Sequence, residues 1–317
     1  MWLQVRLYLL LGLMAAIIYG VIVGVASAIG VGGLVAYVVL ALALVLLQYL
    51  IGPWVVGWTM RVKYVSEQEY PELHSMIGEL AKASGIRKPR VGVSRVPIPN
   101  AFAFGRTTWD ARVCVTEGLL RSLSKDELRA VLGHEISHIK HRDMALMTLL
   151  SVFPLLIYLV AWSLMWSGMG GRGQGNPLPL IGLGMLVLYF ITSLLVLYGS
   201  RIREYYADLG SVRLGSRPRH LATALYKLAY GNARVPKESL KRVEGLKAFF
   251  VNDPSRALYE VRDLREVDQD MSGTIDQNEL LALRSKTVRL RTGDRLMELM
   301  STHPNMLKRV KHLSSLI

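Results

Sequence analysis

One cysteine, Cys114, is all the thiol chemistry in this chain of 317 residues. A disulfide framework within the chain is excluded, and so is a zinc cluster built on thiolates. Such sparing use of cysteine fits a reducing, cytoplasmic face. Acidic residues are also scarce, 24 against 38 lysines and arginines, for a formal net charge of +14. A basic balance has two ordinary meanings. One is nucleic-acid binding. The chain carries no RNA- or DNA-binding motif and few aromatic residues near its basic runs, so nucleic acid is not an expected partner. The other is a membrane protein whose Lys/Arg-rich loops lie beside an anionic leaflet.

What four long runs lack favours the second meaning. Residues 8–28, 34–56, 144–166 and 178–198 contain no charged side chain. Each reaches the roughly 20 residues that span a bilayer. Mean hydropathy is +0.31 while 20% of the residues are charged, so apolar and charged segments are segregated along the chain. Spans without ionisable groups also argue against a transporter. The first run is long for a cleaved signal peptide, and a second run follows closely. Arg6 precedes the first run, and Arg61 and Lys63 follow the second. Lys140 and Arg142 precede the third, and Arg201 and Arg203 follow the fourth. The positive side is the same throughout, which predicts two hairpins with both chain termini in the cytoplasm.

Between and after the hairpins the composition is that of a water-soluble domain. Residues 67–84 carry Leu73, Ile77, Leu80 and Ala81 at helical spacing. Residues 90–96, 101–105 and 112–116 read as three short strands in an antiparallel meander. Ser124 with Glu127 three residues on forms a capping box, which starts a helix through Val131 and Leu132.

That helix carries His134-Glu135-Ile136-Ser137-His138. Residues four apart share a helix face, so both imidazoles can grip one metal ion. Glu135 flanks the same site, where a zinc peptidase keeps its general base. A catalytic zinc takes three protein ligands and keeps one position open. If the third and fourth spans form a hairpin, the returning helix brings Glu204 back beside His138. Glu204 is then the third ligand. Asp208, four residues on, can accept a hydrogen bond from a ligand histidine and fix its tautomer. A blander alternative pairs Glu204 with Arg201 or Arg203 at the membrane edge.

Several further stretches accompany these residues: Pro99 to Gly105, Val115 to Leu120, Glu127 to His138, His141 to Asp143, Glu204 to Asp208, and Ser301 to Pro304. In that order they resemble the HtpX-type membrane zinc metalloproteases, relatives of the CAAX prenyl endopeptidases. The CAAX-processing relatives look like seven-span proteins, and this chain offers four spans, which favours the HtpX type. The resemblance implies a mainly α protein. Four transmembrane helices would accompany a cytoplasmic zincin-like (gluzincin) domain with a small three-stranded sheet. The expected division is a hairpin over 1–63, the motif-bearing part over 64–143, a second hairpin over 144–200, and the rest of the protease domain over 201–317. Expected function is endopeptidase hydrolysis at the cytoplasmic face of a prokaryotic cell membrane, in quality control of damaged membrane proteins. The resemblance also implies that polypeptide substrates lie along the edge strand Ala101, Phe102, Ala103, Phe104, with Asn100 at its lip. His303 is a candidate oxyanion stabiliser. Its bland alternative is a helix start, with Pro304 at the first helical position.

One feature falls outside that resemblance. Asp268, Asp270, Ser272, Thr274, Asp276 and Glu279 stand at the ligand positions of an EF-hand loop, with Gly273 at the sixth and Ile275 at the eighth. Ca²⁺ is therefore a candidate second ion, in an insertion near 257–286, although no second loop exists to pair with it. A competing reading makes the chain a non-catalytic membrane adaptor with structural zinc and a calcium-sensing loop. A structural site would have no use for Glu135 as a general base.

Overall fold

The computed structural model describes residues 46–47, 49–96, 98–169, 177–234, 257–286, 288 and 292–317. The first apolar run lies outside the described residues, as does most of the second. Contacts divide the chain into two units. Among described residues, one holds those up to Gly52 together with Ala145–Ile202. The other holds Pro53–Met144 and Arg203–Ile317.

Among the described residues two helices are long and apolar enough to cross a membrane, α5 (Asp143–Met169) and α6 (Leu178–Arg213). The 36 residues of α6 exceed the roughly 20 that span a bilayer. Residues of α6 beyond Ile202 belong to the second unit. Within the first unit, Ile157, Val160, Ala161 and Leu164 of α5 pack with Met185 of α6.

The second unit is built on a four-stranded sheet ordered β1-β2-β4-β3. Its strands are β1 (Val62–Tyr64), β2 (Arg90–Ser94), β3 (Ala101–Phe104) and β4 (Arg112–Thr116). This corrects the antiparallel three-strand meander in two ways. β1 is an added strand, three residues with a lysine at its centre and no alternation to betray it. β2 and β4 run parallel, while β1–β2 and β3–β4 are antiparallel. Chain order alone suggests β2 beside β3, but β4 is inserted between them. β3 is left as an outer strand of the sheet.

Side chains of a strand point alternately to its two faces, and the two faces meet different partners. Val91, Val93, Val113 and Val115 face a main core with Ile77 and Leu80 of α2 (Pro71–Ser84). α2 starts at Pro71 rather than near residue 67, because proline suits the first turn of a helix. Also in this core are Val131, Leu132 and Ile136 of α4 (Lys125–Lys140) and Leu221 and Leu225 of α7 (Pro218–Ala233). It further takes Leu264 of α8 (Ala257–Arg265), Leu280 of α9 (Gln277–Ser285) and Val310 of α11 (Met306–Ser314). α3 (Glu117–Ser122) and α10 (Thr292–Leu299) belong to the same unit. The second face carries Phe102, Phe104 and Cys114, which pack with Met60, Ile98 and Val56 of α1 (residues 49–59).

Cys114 stands opposite Gly92 in the parallel pair. A Cβ on Gly92 would lie 2.5 Å from the Cys114 Sγ, so the glycine makes room for the thiol. Burial pushes the Cys114 thiol well above its ordinary range, and reactivity belongs to the thiolate. A maleimide should leave Cys114 unmodified in the folded protein and label it fully in denaturant, as read by intact mass. Rapid labelling without denaturant would contradict this burial.

Candidate metal centre

α4 begins where the capping box predicts. The Ser124 Oγ accepts from the Glu127 backbone N–H, and the Glu127 carboxylate accepts from the Ser124 N–H at 2.8 Å. Its other end is closed by His141, whose Nδ1 lies 2.8 Å from the Ser137 carbonyl oxygen. Arg142 follows in the left-handed region at φ 55. That turn returns the chain so that Asp143, first residue of α5, reaches His138.

The last part of α6 crosses α4 at small residues. Ideal Cβ atoms on Gly133 and Gly210 would lie 3.1 Å from the Ser211 Oγ and 2.0 Å from the Ser137 Oγ, respectively. The Ser211 hydroxyl also donates to the Ala130 carbonyl at 2.6 Å. Gly133 and Ser137 each immediately precede a motif histidine. The crossing therefore sets Glu204 and Asp208 directly against His134 and His138.

Ligand atoms of His134, His138 and Glu204 all lie within 4.8 Å of one another. The two Nε2 atoms are 3.1 Å apart. Glu204 Oε1 is 3.5 Å from His138 Nε2, and Oε2 is 3.6 Å from His134 Nε2. Donors about 2.0–2.1 Å from a tetrahedral zinc stand about 3.3 Å apart, so the spacing fits such an ion. All three residues are carried by elements of one unit.

Each imidazole is held from behind. The Nδ1 of His134 lies 2.9 Å from Asp208 Oδ1, and that of His138 lies 2.6 Å from Asp143 Oδ2. With Nδ1–H donating to a carboxylate, each ring presents its Nε2 lone pair to the centre. Both carboxylates are themselves gripped by arginines. Arg203 reaches Asp143 at 2.9 Å, and Arg309 reaches both oxygens of Asp208 at 2.6 and 3.0 Å. Burial alone would push His134 down, but the Asp208 and Glu204 contacts outweigh it and raise the imidazole to about 9, so a metal ion would have to displace the Nε2 proton to use that lone pair. The membrane-edge alternative for Glu204 does not describe its surroundings. Its carboxylate faces His134, His138, His303 and Arg309.

Glu135 is buried, at 4% exposure. His303 is buried too, with Nδ1 3.3 Å from Glu204 Oε1. Among the described residues neither ring nitrogen of His303 makes a hydrogen bond of good geometry. Buried polar atoms are ordinarily satisfied, so this ring is suited to a polar ligand. It is not the start of a helix. α11 begins at Met306, and Asn305 caps it by accepting from the Leu307 N–H at 2.9 Å; Pro304 stands before the cap.

On the outer strand, Asn100 is buried, with its N–H donating to the Thr116 Oγ1 and its carbonyl accepting from the Thr116 N–H, both at 2.9 Å. Ala101, Phe102 and Phe104 are buried and Ala103 is half-buried. The two phenylalanine rings pack on each other with centroids 5.6 Å apart. Any substrate role of this strand rests on its backbone.

In the acidic loop, Asp268, Asp270 and Glu279 bring ligand atoms within 4.8 Å of one another. The remaining loop positions are engaged otherwise. Asp276 caps α9 by accepting from the Glu279 N–H at 2.8 Å. The Ser272 and Thr274 hydroxyls lie 2.9 Å apart. Thr223 of α7 pins the loop, its hydroxyl meeting both the N–H and the carbonyl of Ile275 at 3.0 Å.

Residues 67–317 match the peptidase family M48. The chain belongs to that family. A "Protease HtpX homolog" of Methanothermobacter thermautotrophicus is 51% identical over 226 residues, covering 71% of this chain and 85% of its own length. Another of the same name, from Moorella thermoacetica, is 35% identical over 321 residues, covering 99% and 94%. The crystal structure of S. mikatae Ste24p aligns with a TM-score of 0.54 at 16% identity. It matches 98% of this chain, which spans 65% of that one. This likeness is one of fold. The HtpX-type M48 assignment agrees with a His/His/Glu centre compatible with a metal ion.

Sequence reasoning did not find the roles of Asp143, Arg203 and Arg309. Asp143 lies in a stretch that carries the resemblance, yet only the turn at Arg142 shows what it faces. Arg203, the alternative partner of Glu204, instead holds Asp143. Arg309, far along the chain from His134, has no spacing signal at all.

The helix crossing can be tested. Gly210→Ala should destabilise the protein by about 1–3 kcal/mol, as overpacking does, and lower metal content after dialysis. Adding Ser137→Ala should recover part of both. Unchanged melting and metal content in Gly210→Ala would show that the two helices tolerate separation.

Proposed function

We propose that this M48 member is an integral-membrane zinc endopeptidase acting at the cytoplasmic face, in removal of misfolded or damaged membrane proteins. The observation that carries the reading is the convergence of the His134 and His138 Nε2 atoms with the Glu204 carboxylate at tetrahedral spacing. Glu135 lies buried on the same helix. In the proposed arrangement four spans form two hairpins, and the parts over 64–143 and 201–317 make the protease domain. Helices α5 and α6 support the second hairpin. The lipid bilayer is then a partner, and the substrates are polypeptides. The adaptor reading has no observation in its favour, since the chain belongs to a peptidase family.

Zinc held by His134, His138 and Glu204 would supply a Lewis acid that acidifies a water and polarises the scissile carbonyl. Glu135 takes the proton of the attacking water and later delivers it to the leaving amine. His303, whose Nδ1 lies 3.3 Å from Glu204 Oε1, donates to the developing oxyanion. An extended substrate adds to the outer edge of β3 by backbone hydrogen bonds, which grip many sequences alike. Asn100 stands at the start of that edge as a further backbone contact.

The acidic loop supports a second, smaller proposal, that Asp268, Asp270 and Glu279 take up Ca²⁺ with backbone and hydroxyl oxygens of the loop. What supports it is the approach of the three carboxylates.

Glu135→Gln should keep its zinc and lose about 10²–10⁴-fold in proteolysis, the usual weight of a general base. Glu204→Ala should lose the metal itself, as measured by metal analysis, and chelator should silence the wild type. A Glu135→Gln variant that cleaves an unfolded membrane protein at the normal rate would end this mechanism. For the loop, calorimetric titration of the purified protein with Ca²⁺ should give heat that Glu279→Gln abolishes. No heat at millimolar Ca²⁺ in the wild type rules the second ion out.

A further inference from the structure

Arg309 reaches the metal centre from α11 and is fully buried, at 0% exposure. Its Nε and Nη2 engage the two oxygens of Asp208 at 3.0 and 2.6 Å. Its Nη1 lies 3.0 Å from Glu204 Oε2, and Nη2 lies 3.4 Å from His134 Nδ1. One planar cation thus touches the third ligand, the carboxylate that orients the first ligand, and the back of that first ligand.

We infer that Arg309 is a positioning residue of the metal centre, which presets the Glu204 carboxylate and the His134 ring through its contacts with Glu204 and Asp208. This rests on the metal-centre reading given above. The physical need is plain. Glu204 and Asp208 sit one turn apart on one helix face and are buried at 5% and 0% exposure. The same guanidinium lies within 3.0 Å of both carboxylates. A guanidinium fits the task better than an ammonium. Its rigid fork can satisfy Asp208 bidentately and still hold a third nitrogen beside Glu204 as an ion pair at 3.0 Å, without a hydrogen bond to that oxygen, whereas lysine offers a point charge on a flexible stem. A residue that merely cross-linked α11 to α6 would need only the Asp208 contacts. The approach to Glu204 and His134 is what ties Arg309 to ligand geometry.

The test uses the full chain, purified in detergent, stripped of metal and titrated with Zn²⁺ against a chromophoric chelator. In parallel, Co²⁺ is added and its visible absorption recorded, because band intensity reports ligand number and geometry. Arg309→Lys keeps the charge and removes the fork, and Arg309→Met removes both. Loss of an outer-shell partner commonly weakens metal binding about 10–100-fold. We expect Arg309→Lys to fall in that range with an altered Co²⁺ spectrum, its circular dichroism unchanged, and Arg309→Met to be weaker still. Wild-type affinity and spectrum in folded Arg309→Lys would overturn the inference. If Arg309→Lys does not fold, Asp208→Asn reads the same relay while leaving Arg309 its Glu204 contact, and unchanged zinc affinity there overturns it equally. A wild-type chain that takes up neither Zn²⁺ nor Co²⁺ would instead bring down the metal-centre reading itself.

Discussion

Two histidines must offer the same nitrogen to the same point, and a pair of buried carboxylates makes them do so. Asp208 holds Nδ1 of His134, and Asp143 holds Nδ1 of His138. Neither carboxylate could stay charged alone where water does not reach, because an isolated buried ion is expelled or neutralised. Arg309 and Arg203 supply the opposite charge. The result is two imidazole–carboxylate–guanidinium chains running outward from one centre. Removing one member of a buried pair leaves a charge unmatched, at roughly 3–5 kcal/mol. Ion pairs of this kind add little net stability compared with well-packed apolar residues. What they secure here is orientation, which apolar packing cannot impose on a ring tautomer.

Orientation also demands that separate segments arrive within a few ångströms. α4 carries both histidines, the first turn of α5 carries Asp143, the end of α6 carries Arg203, Glu204 and Asp208, and α11 carries Arg309. Small residues permit the closest of these approaches, with Gly133 under Ser211 and Gly210 under Ser137. The link from α4 to α5 is bought with a left-handed arginine, Arg142, at roughly 1–2 kcal/mol for a residue bearing a Cβ. Strain at that position persists because Asp143 is fixed on both sides, by His138 and by Arg203. A site assembled from such distant segments forms only when the whole unit is folded, so a metal ion bound there stabilises that unit as a whole.

Local rules made the inner part of this arrangement legible in the sequence. The i, i+4 spacing of His134 and His138 and the capping box at Ser124 need only neighbouring residues to be read. Glu204 and Asp208 were reached by one further step, the return of a hairpin, and their spacing again supplied the shared face. Beyond that, sequence order misled or fell silent. Alternation identifies strands but not their neighbours, so β4 lying between β2 and β3, parallel to the first, could not be read. Val62–Tyr64 is too short and too polar to announce a strand. His303-Pro304 has the look of a helix start, but Asn305 is the cap. Arg309 and Asp143 belong to contacts whose logic is charge balance in a buried place, which no spacing encodes.

The acidic loop follows the opposite logic, since its order owes much to local hydrogen bonds. Asp268 accepts from the Ser272 and Gly273 N–H groups, and Glu279 from those of Gln269 and Asp276. A lone loop leaves its eighth position without a sister loop, and backbone groups there must still be satisfied. Thr223 does this with one hydroxyl that both donates to and accepts from Ile275. The Tyr226 hydroxyl beside Asp268 adds a second attachment to the same helix. A carboxylate has about four lone-pair sites, so these bonds leave room for an ion without requiring one. A switch needs two arrangements of comparable free energy, one of them favoured by the ligand. This loop is pinned at its centre to α7, which packs in the same core as α4. The hydrogen bonds to Ile275 thus fix the centre of the loop whether or not its carboxylates hold an ion.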